Sequence, residues 1–167
     1  GVSHVIRINR IDDANRINRA AMHGIAASIE KVRFDPEVKV IVVTGVREFF
    51  CSGGRVDGHP EGGVDQQMAF GQAFADLQRA MAHAKQPIIA AVEGQCIAGG
   101  MSVLAACDMA IAADDVHFSF PEINFGLFPV LAMGVAHPVI PPKKAMELFY
   151  TGRDFDPEEA LEMSLIN

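Results

Sequence analysis

The run Pro87-Ile-Ile-Ala-Ala-Val-Glu-Gly-Gln-Cys-Ile-Ala-Gly-Gly-Met-Ser-Val-Leu-Ala-Ala-Cys107 decides the fold class. Pro87 to Val92 is an apolar stretch of the kind buried inside a sheet, and Gly94 stops it. From Ala98 the small residues open into an Ala-rich segment suited to a tightly packed helix. Upstream, Val38-Lys-Val-Ile-Val-Val-Thr44 is a β-branched run ended by Gly45, which predicts a strand buried on both faces. Val2 to Ile8 alternates like a half-buried strand, and Asn9 to Asp13 supplies turn chemistry. Asn18 to Val32 repeats apolar residues at three and four, with Asn18 as N-cap. Helical spacing returns from Gln66 to Ala84, after a glycine-rich loop at Gly53 to Gly63. Downstream, Asp108 to Ala113 and Val116 to Phe120 predict short strands, and Lys143 to Tyr150 and Pro157 to Met163 predict helices. Strands alternating with helices predict an α/β chain with parallel pairing, one domain over residues 1–167 with no dividing linker.

Composition narrows what such a domain does. A chain of 167 residues, half of them hydrophobic, can bury roughly 70% of the surface its unfolded form exposes, so no disulfide framework is needed for a core. The net charge of −7 repels polyphosphate and argues against a nucleic-acid partner. Cys51, Cys96 and Cys107 form no CxxC pair, which points to a reducing compartment. Six histidines are scattered without a pair at ligand spacing, so no metal site is expected. Neither a dinucleotide nor a P-loop glycine signature follows a strand, and no G-x-S-x-G elbow occurs. No apolar run reaches the roughly 18 residues of a membrane span, and Gly1 to Arg10 lacks a secretory apolar region, so a soluble cytoplasmic protein without a membrane partner is expected. The ending Ala160-Leu-Glu-Met-Ser-Leu-Ile-Asn167 stops on an apolar patch without a tail, which leads us to expect a truncated chain.

Two glycine turns, Phe50-Cys-Ser-Gly-Gly-Arg-Val-Asp57 and Gly94-Gln-Cys-Ile-Ala-Gly-Gly-Met-Ser102, each follow a predicted strand. Glycine lets a ligand approach the chain closely, and backbone N–H groups can be exposed at such places. Facing each other, the two turns would make an oxyanion hole; alternatively, the glycines serve only tight turns and helix packing.

These turns stand in an ordered series that resembles the crotonase superfamily, the enoyl-CoA hydratases and isomerases. Val5-Ile-Arg-Ile-Asn-Arg10 with Asn15-Arg-Ile-Asn18 is similar to its opening strand and loop. The two glycine turns, Ala106-Cys-Asp108, Phe118-Ser-Phe-Pro-Glu122, Gly126-Leu127 and Ala145 to Arg153 follow in the family's order and spacing. The resemblance implies a spiral of ββα repeats and an acyl-coenzyme A thioester as ligand. Coenzyme A would then arrive as part of the substrate, with no separate cofactor and no metal. It places the two oxyanion donors on the N–H groups of Gly54 and Gly99. It assigns coenzyme A binding to Asn15, Arg16 and Ile17 and to Arg55, Val56 and Asp57. Family members carry a longer C-terminal helical segment and form trimers or hexamers, so a homo-oligomer and a missing C-terminal segment are expected.

This chain departs from the hydratase pattern at one carboxylate. Hydratases of the family hold a water between two glutamates; the second is retained as Glu122, whereas Ser102 stands at the first. A serine hydroxyl can orient a water or the substrate, but it is no base near neutral pH without an activating partner. One carboxylate suffices to shift a double bond from the 3- to the 2-enoyl thioester. Desolvation by Phe120, Ile123 and Phe125 is expected to raise the Glu122 pKa. Either an isomerase or a hydratase with altered machinery follows, with a non-catalytic acyl-CoA-binding scaffold as the alternative. After Gly126-Leu-Phe-Pro129, many relatives have Gly-Gly and an Arg, but this chain has Val130-Leu-Ala-Met-Gly-Val-Ala-His137. That run either walls a pocket for a longer or bulkier acyl group or is ordinary helix packing. Arg55 is either a phosphate contact or a solvated surface residue.

Overall fold

The computed structural model describes residues 2–46, 48–55 and 63–167. Along the chain come β1 (Ser3–Arg7), α1 (Arg19–Val32), β2 (Val40–Thr44), β3 (Phe49–Cys51), α2 (Gly63–Ala82), β4 (Ile88–Val92), β5 (Gln95–Ile97) and α3 (Gly99–Ala105). They are followed by β6 (Met109–Ala112), β7 (His117–Ser119), α4 (Val130–Ala136), α5 (Pro142–Thr151), β8 (Asp154–Phe155) and α6 (Pro157–Glu162). Three times in succession a strand of four or five residues, a strand of three and a helix repeat, as β2-β3-α2, β4-β5-α3 and β6-β7-α4. The longer strands join β1 in an all-parallel sheet of order β1-β2-β4-β6, and the short ones form a second sheet, β3-β5-β7-β8. Among the strands of the described residues, β8 alone runs antiparallel, against β7. This α/β arrangement is the spiral of ββα repeats that the resemblance implies.

One expectation is corrected at β2. Ile41 and Val43 are fully buried, but Val40, Val42 and Thr44 are only half-buried, so the strand alternates instead of being buried on both faces. The physical reason is one-sided cover. The buried residues of α1 (Met22, Ile25, Ile29, Val32) and α2 (Phe74, Leu77, Met81) share one core cluster with Ile6, Ile41, Val43, Ile88, Ala90 and Ala110 of the sheet. Val5 and Ile111 point away from that cluster and are exposed. Each of these buried aliphatic or aromatic side chains contributes about 1.5–3 kcal/mol relative to an exposed one, so the covered face is what fixes the sheet's register.

Of the three-residue strands, β7 lies inside the strand expected at Val116 to Phe120, whereas β3 and β5 are absent from the sequence expectation, because three residues give no periodicity to detect. β3 and β5 matter most for function, since each carries the chain from the large sheet to a glycine turn, while β7 leads to the 3₁₀ turn Pro121–Phe125 that holds Glu122. Polar side chains pin the joints between repeats. Buried Gln86 donates from Nε2 to the Val32 carbonyl at the end of α1 (2.8 Å), and Asp108 Oδ2 accepts the Ile88 N–H (2.7 Å) at the start of β4. Asn18 caps α1 as expected, its Oδ1 accepting the Ala21 N–H at 3.0 Å. Among the described residues, no helix is long and apolar enough to cross a membrane.

Replacing the cap tests how much α1 leans on it. Asn18→Ala is expected to lower the unfolding free energy by about 1 kcal/mol, measured as a shift of the urea midpoint at unchanged slope.

Candidate active site

β3 and β5 lie side by side in parallel, with Cys51 opposite Cys96, so the turns that leave them emerge level with each other. A Cβ built on Gly99 would sit 3.1 Å from the Gly54 nitrogen and 3.2 Å from the Gly53 carbonyl carbon. One built on Gly54 would meet Phe70 Cζ at 2.5 Å. Gly99 thus packs closely against the backbone of the first turn, and Gly54 packs against the tip of the Phe70 ring. The Gly54 strand is held from its other side by Ile17, whose N–H donates to the Gly53 carbonyl (2.9 Å) and whose carbonyl accepts the Arg55 N–H (2.8 Å). That pairing passes over the intervening Gly54 amide. Among the described residues, neither the Gly54 nor the Gly99 N–H has a hydrogen-bond acceptor.

Ala98 supplies the sharp entry into α3. Its φ of +50° and ψ of −120° are a strained conformation for a residue with a Cβ, of the kind that costs about 1–3 kcal/mol and persists only where the surroundings over-determine it. Here the surroundings are β7, whose Ser119 carbonyl accepts the Ala98 N–H at 3.0 Å.

Gly54, Gly99, Ser102 and Glu122 line one cavity of about 310 Å³. Its walls are Phe70 and Phe74 from α2 and the stretch from Leu127 to Ala132 that leads into α4. Ser102 sits in α3, 1% exposed, and its Oγ has no hydrogen-bond partner among the described residues. With no base holding its proton, this hydroxyl is a donor for whatever enters, not an activated nucleophile. Glu122 lies in a 3₁₀ turn, Pro121–Phe125, and its Oε2 is likewise buried without a partner. Burial pushes the Glu122 carboxyl above its ordinary 4.5, against a smaller opposing effect of a backbone hydrogen bond.

The source of that burial differs from expectation. Phe120 turns into the core, edge-on to Phe149, and Phe125 is 77% exposed; neither lines the cavity. Adjacent residues in a short turn point in different directions, so sequence proximity did not identify the neighbours. The apolar surroundings come instead from Phe70, Phe74, Leu127 and Phe128, remote in sequence or beyond the turn. The aromatic pair at 70 and 74 read as ordinary helical core, and nothing in its spacing signals a cavity.

The remaining sequence-derived residues are placed elsewhere. Asn15, Arg16, Ile17 and Arg55 do not line the cavity, while Val56 and Asp57 lie outside the described residues. Ile17 is fully buried beside Gly54. Asn15 is fully buried too, at φ +54°. Its Oδ1 accepts the Arg10 N–H (2.7 Å), and its Nδ2 donates to the carbonyls of Ile8 (3.0 Å) and Phe49 (2.8 Å). Arg16 and Arg55 join Arg10 around Asp13, at 3.2, 2.8 and 3.2 Å respectively. Against desolvation, the Arg10 hydrogen bond and the charges of Arg16 and Arg55 hold the Asp13 carboxyl below its usual range. Three guanidinium groups on one carboxylate leave a surplus of positive charge beside the Gly54 turn. Among the described residues, no three His, Cys, Asp or Glu side chains gather as a metal ion would need.

With this geometry in hand, comparison with known proteins is specific. The family model for enoyl-CoA hydratase/isomerase matches residues 2–167. A probable enoyl-CoA hydratase of Mycobacterium leprae is 32% identical over 166 residues, covering 98% of this chain and 63% of its own length. A carnitinyl-CoA dehydratase of Proteus mirabilis is 31% identical over 156 residues, 92% of this chain and 59% of that protein. The crystal structure of an enoyl-CoA hydratase/isomerase family protein from Silicibacter pomeroyi superimposes with a TM-score of 0.92 at 28% identity, over 99% of this chain and 70% of that one. The chain thus spans about three-fifths of the curated relatives' length.

The raised Glu122 pKa has a stability signature. A carboxyl whose folded pKa lies above its unfolded one opposes folding once deprotonated: the penalty is absent well below 4.5, grows as pH rises through that value and is complete above the folded pKa. Glu122→Gln removes it. Urea unfolding of both proteins is expected to show the variant gaining stability relative to the parent between acid and neutral pH. A pH-independent difference would contradict the burial account.

Proposed function

The chain belongs to the enoyl-CoA hydratase/isomerase family, and from that premise we propose that it isomerises 3-enoyl-CoA thioesters to the 2-enoyl form. The observation that carries this is the meeting, among the described residues, of two backbone amides without an acceptor and one carboxyl in one apolar cavity, with Ser102 where the hydratase pattern has its other carboxylate. The Gly54 and Gly99 N–H groups receive the thioester oxygen. Glu122 takes a proton from the α-carbon, and the electron pair moves into a dienolate whose negative charge rests on that oxygen. The protonated Glu122 then returns its proton to the γ-carbon, and the double bond ends conjugated to the thioester. No water is consumed and none is released.

Each group suits its part for a physical reason. Fixed N–H dipoles meet developing charge without having to reorganise, which is why losing one such donor costs about 10²–10³ in rate. A buried carboxyl with a raised pKa is a stronger base than a solvated one, and it reprotonates the carbanion readily once charged with the proton. Ser102 steadies the substrate by a hydrogen bond and moves no proton. Coenzyme A enters with the substrate, and the surplus positive charge of Arg10, Arg16 and Arg55 is suited to its phosphates. The same family resemblance supports a homo-oligomer, trimer or hexamer, and cysteines without a CxxC pair support a reducing, cytoplasmic setting.

Activity on 3-enoyl and 2-enoyl thioesters, followed by the absorbance of the conjugated product, tests the assignment. Glu122→Gln is expected to lose about 10²–10⁴ in kcat/KM, and Gly99→Ala, whose methyl group would crowd the Gly54 amide, about 10²–10³. For the parent, kcat/KM falls on acidification through a pKa above 4.5 as Glu122 is protonated. Ser102→Glu is expected to add hydration of the 2-enoyl thioester. If parent and Glu122→Gln bind acyl-CoA equally and are equally inert, a non-catalytic binding protein is the correct description.

A further inference from the structure

Ala98 stands where the parts of the site meet, although the catalytic steps give it no role. Its half-buried side chain lines the cavity together with Gly54 and Gly99. The methyl group is set against the first glycine turn: a Cβ built on Gly53 would meet the Ala98 Cβ at 3.2 Å, the nearest contact it would make. The peptide unit that joins Ala98 to Gly99 carries the second amide, so the Ala98 ψ of −120° decides where the Gly99 N–H points. The carbonyl of that same peptide unit accepts the Met101 N–H at 2.9 Å, which turns the Gly99 N–H the opposite way. On the other side of the residue, the Ala98 N–H donates to Ser119 at the end of β7, three positions before Glu122. A glycine would hold φ +50° and ψ −120° without strain, so the turn by itself gives no reason for a Cβ here. The contact with Gly53 supplies one.

We propose that Ala98 is a positioning residue: its methyl group, wedged against Gly53, spaces the two glycine turns, and its strained ψ aims the Gly99 N–H into the cavity. This inference rests on the oxyanion reading of Gly54 and Gly99 and deepens it by naming the residue that sets their spacing. Backbone donors stabilise developing charge only as far as they are held in place, and a small misplacement is expensive. Glycine at position 98 would leave the turn free to rotate about ψ, and both amides would lose their common reference.

Ala98→Gly separates aim from stability. It relieves the strain, so the urea midpoint is expected to rise. It also removes the wedge, so kcat for the 3-enoyl thioester is expected to fall about 10- to 100-fold. KM should change little, the pattern of an interaction realised in the transition state. Ala98→Ser, which puts a Cβ back, is expected to recover most of the lost rate. A second readout needs no turnover: the infrared carbonyl stretch of a bound saturated acyl-CoA thioester with a heavy-carbon label at the carbonyl. Two well-aimed N–H donors lower this frequency in the parent, and Ala98→Gly is expected to lower it less. Equal carbonyl frequencies in parent and Ala98→Gly overturn the inference. So does a rate loss matched by a fall in the urea midpoint, since Ala98 then serves the fold alone. A lowered carbonyl frequency without isomerisation in the parent overturns the isomerase assignment alone, and isomerisation that Ala98→Gly leaves intact overturns the role of Ala98 alone.

Discussion

The backbone at Gly53–Gly54 and at Ala98–Gly99 approaches to within a side chain's thickness, and most of what is distinctive about this protein follows from that approach. It requires β3 and β5 to run level, which the parallel register of Cys51 with Cys96 provides. It requires α3 to begin directly against β3, where a Cβ on Gly100 would lie 2.2 Å from the Cys51 carbonyl oxygen. It also requires Ala98 to hold a conformation that an isolated chain would leave. The large parallel sheet and its two covering helices supply the stability against which this local strain is maintained.

Much of the fold was legible in the residues because it depends on features with a period or a cap. The alternation of Val2 to Ile8, the spacing of Met22, Ile25, Ile29 and Val32, and the Asn18 cap each appear where they were expected. What was hidden depends on short or non-local contacts. β3 and β5, of three residues each, have no alternation to detect, and the aromatic pair Phe70 and Phe74 looks the same whether it faces a packed core or an empty cavity. The site was legible in its chemistry, since Gly54, Gly99, Ser102 and Glu122 share a cavity. Its walls were not, because Phe120 and Phe125 are neighbours of Glu122 only along the chain.

The cavity acts on its two polar side chains in different ways. For Glu122 the apolar surroundings favour the neutral form and so move the titration of the carboxyl toward working pH. For Ser102 the same surroundings leave an alcohol proton with nothing to donate to, a condition that costs about 1–3 kcal/mol until a partner arrives. Both groups therefore gain from a bound molecule that offers polar atoms at their height and apolar ones elsewhere.

Asn15 binds together three pieces of backbone: the end of the first strand through Ile8, the following loop through Arg10, and the start of β3 through Phe49. One carboxamide thus clasps successive coils of the spiral at the start of the strand that leads to the Gly54 turn. Loosening it would unsettle the strand that leads to that turn while leaving every cavity-lining side chain in place, so the precision of the site is anchored partly at a position outside the cavity.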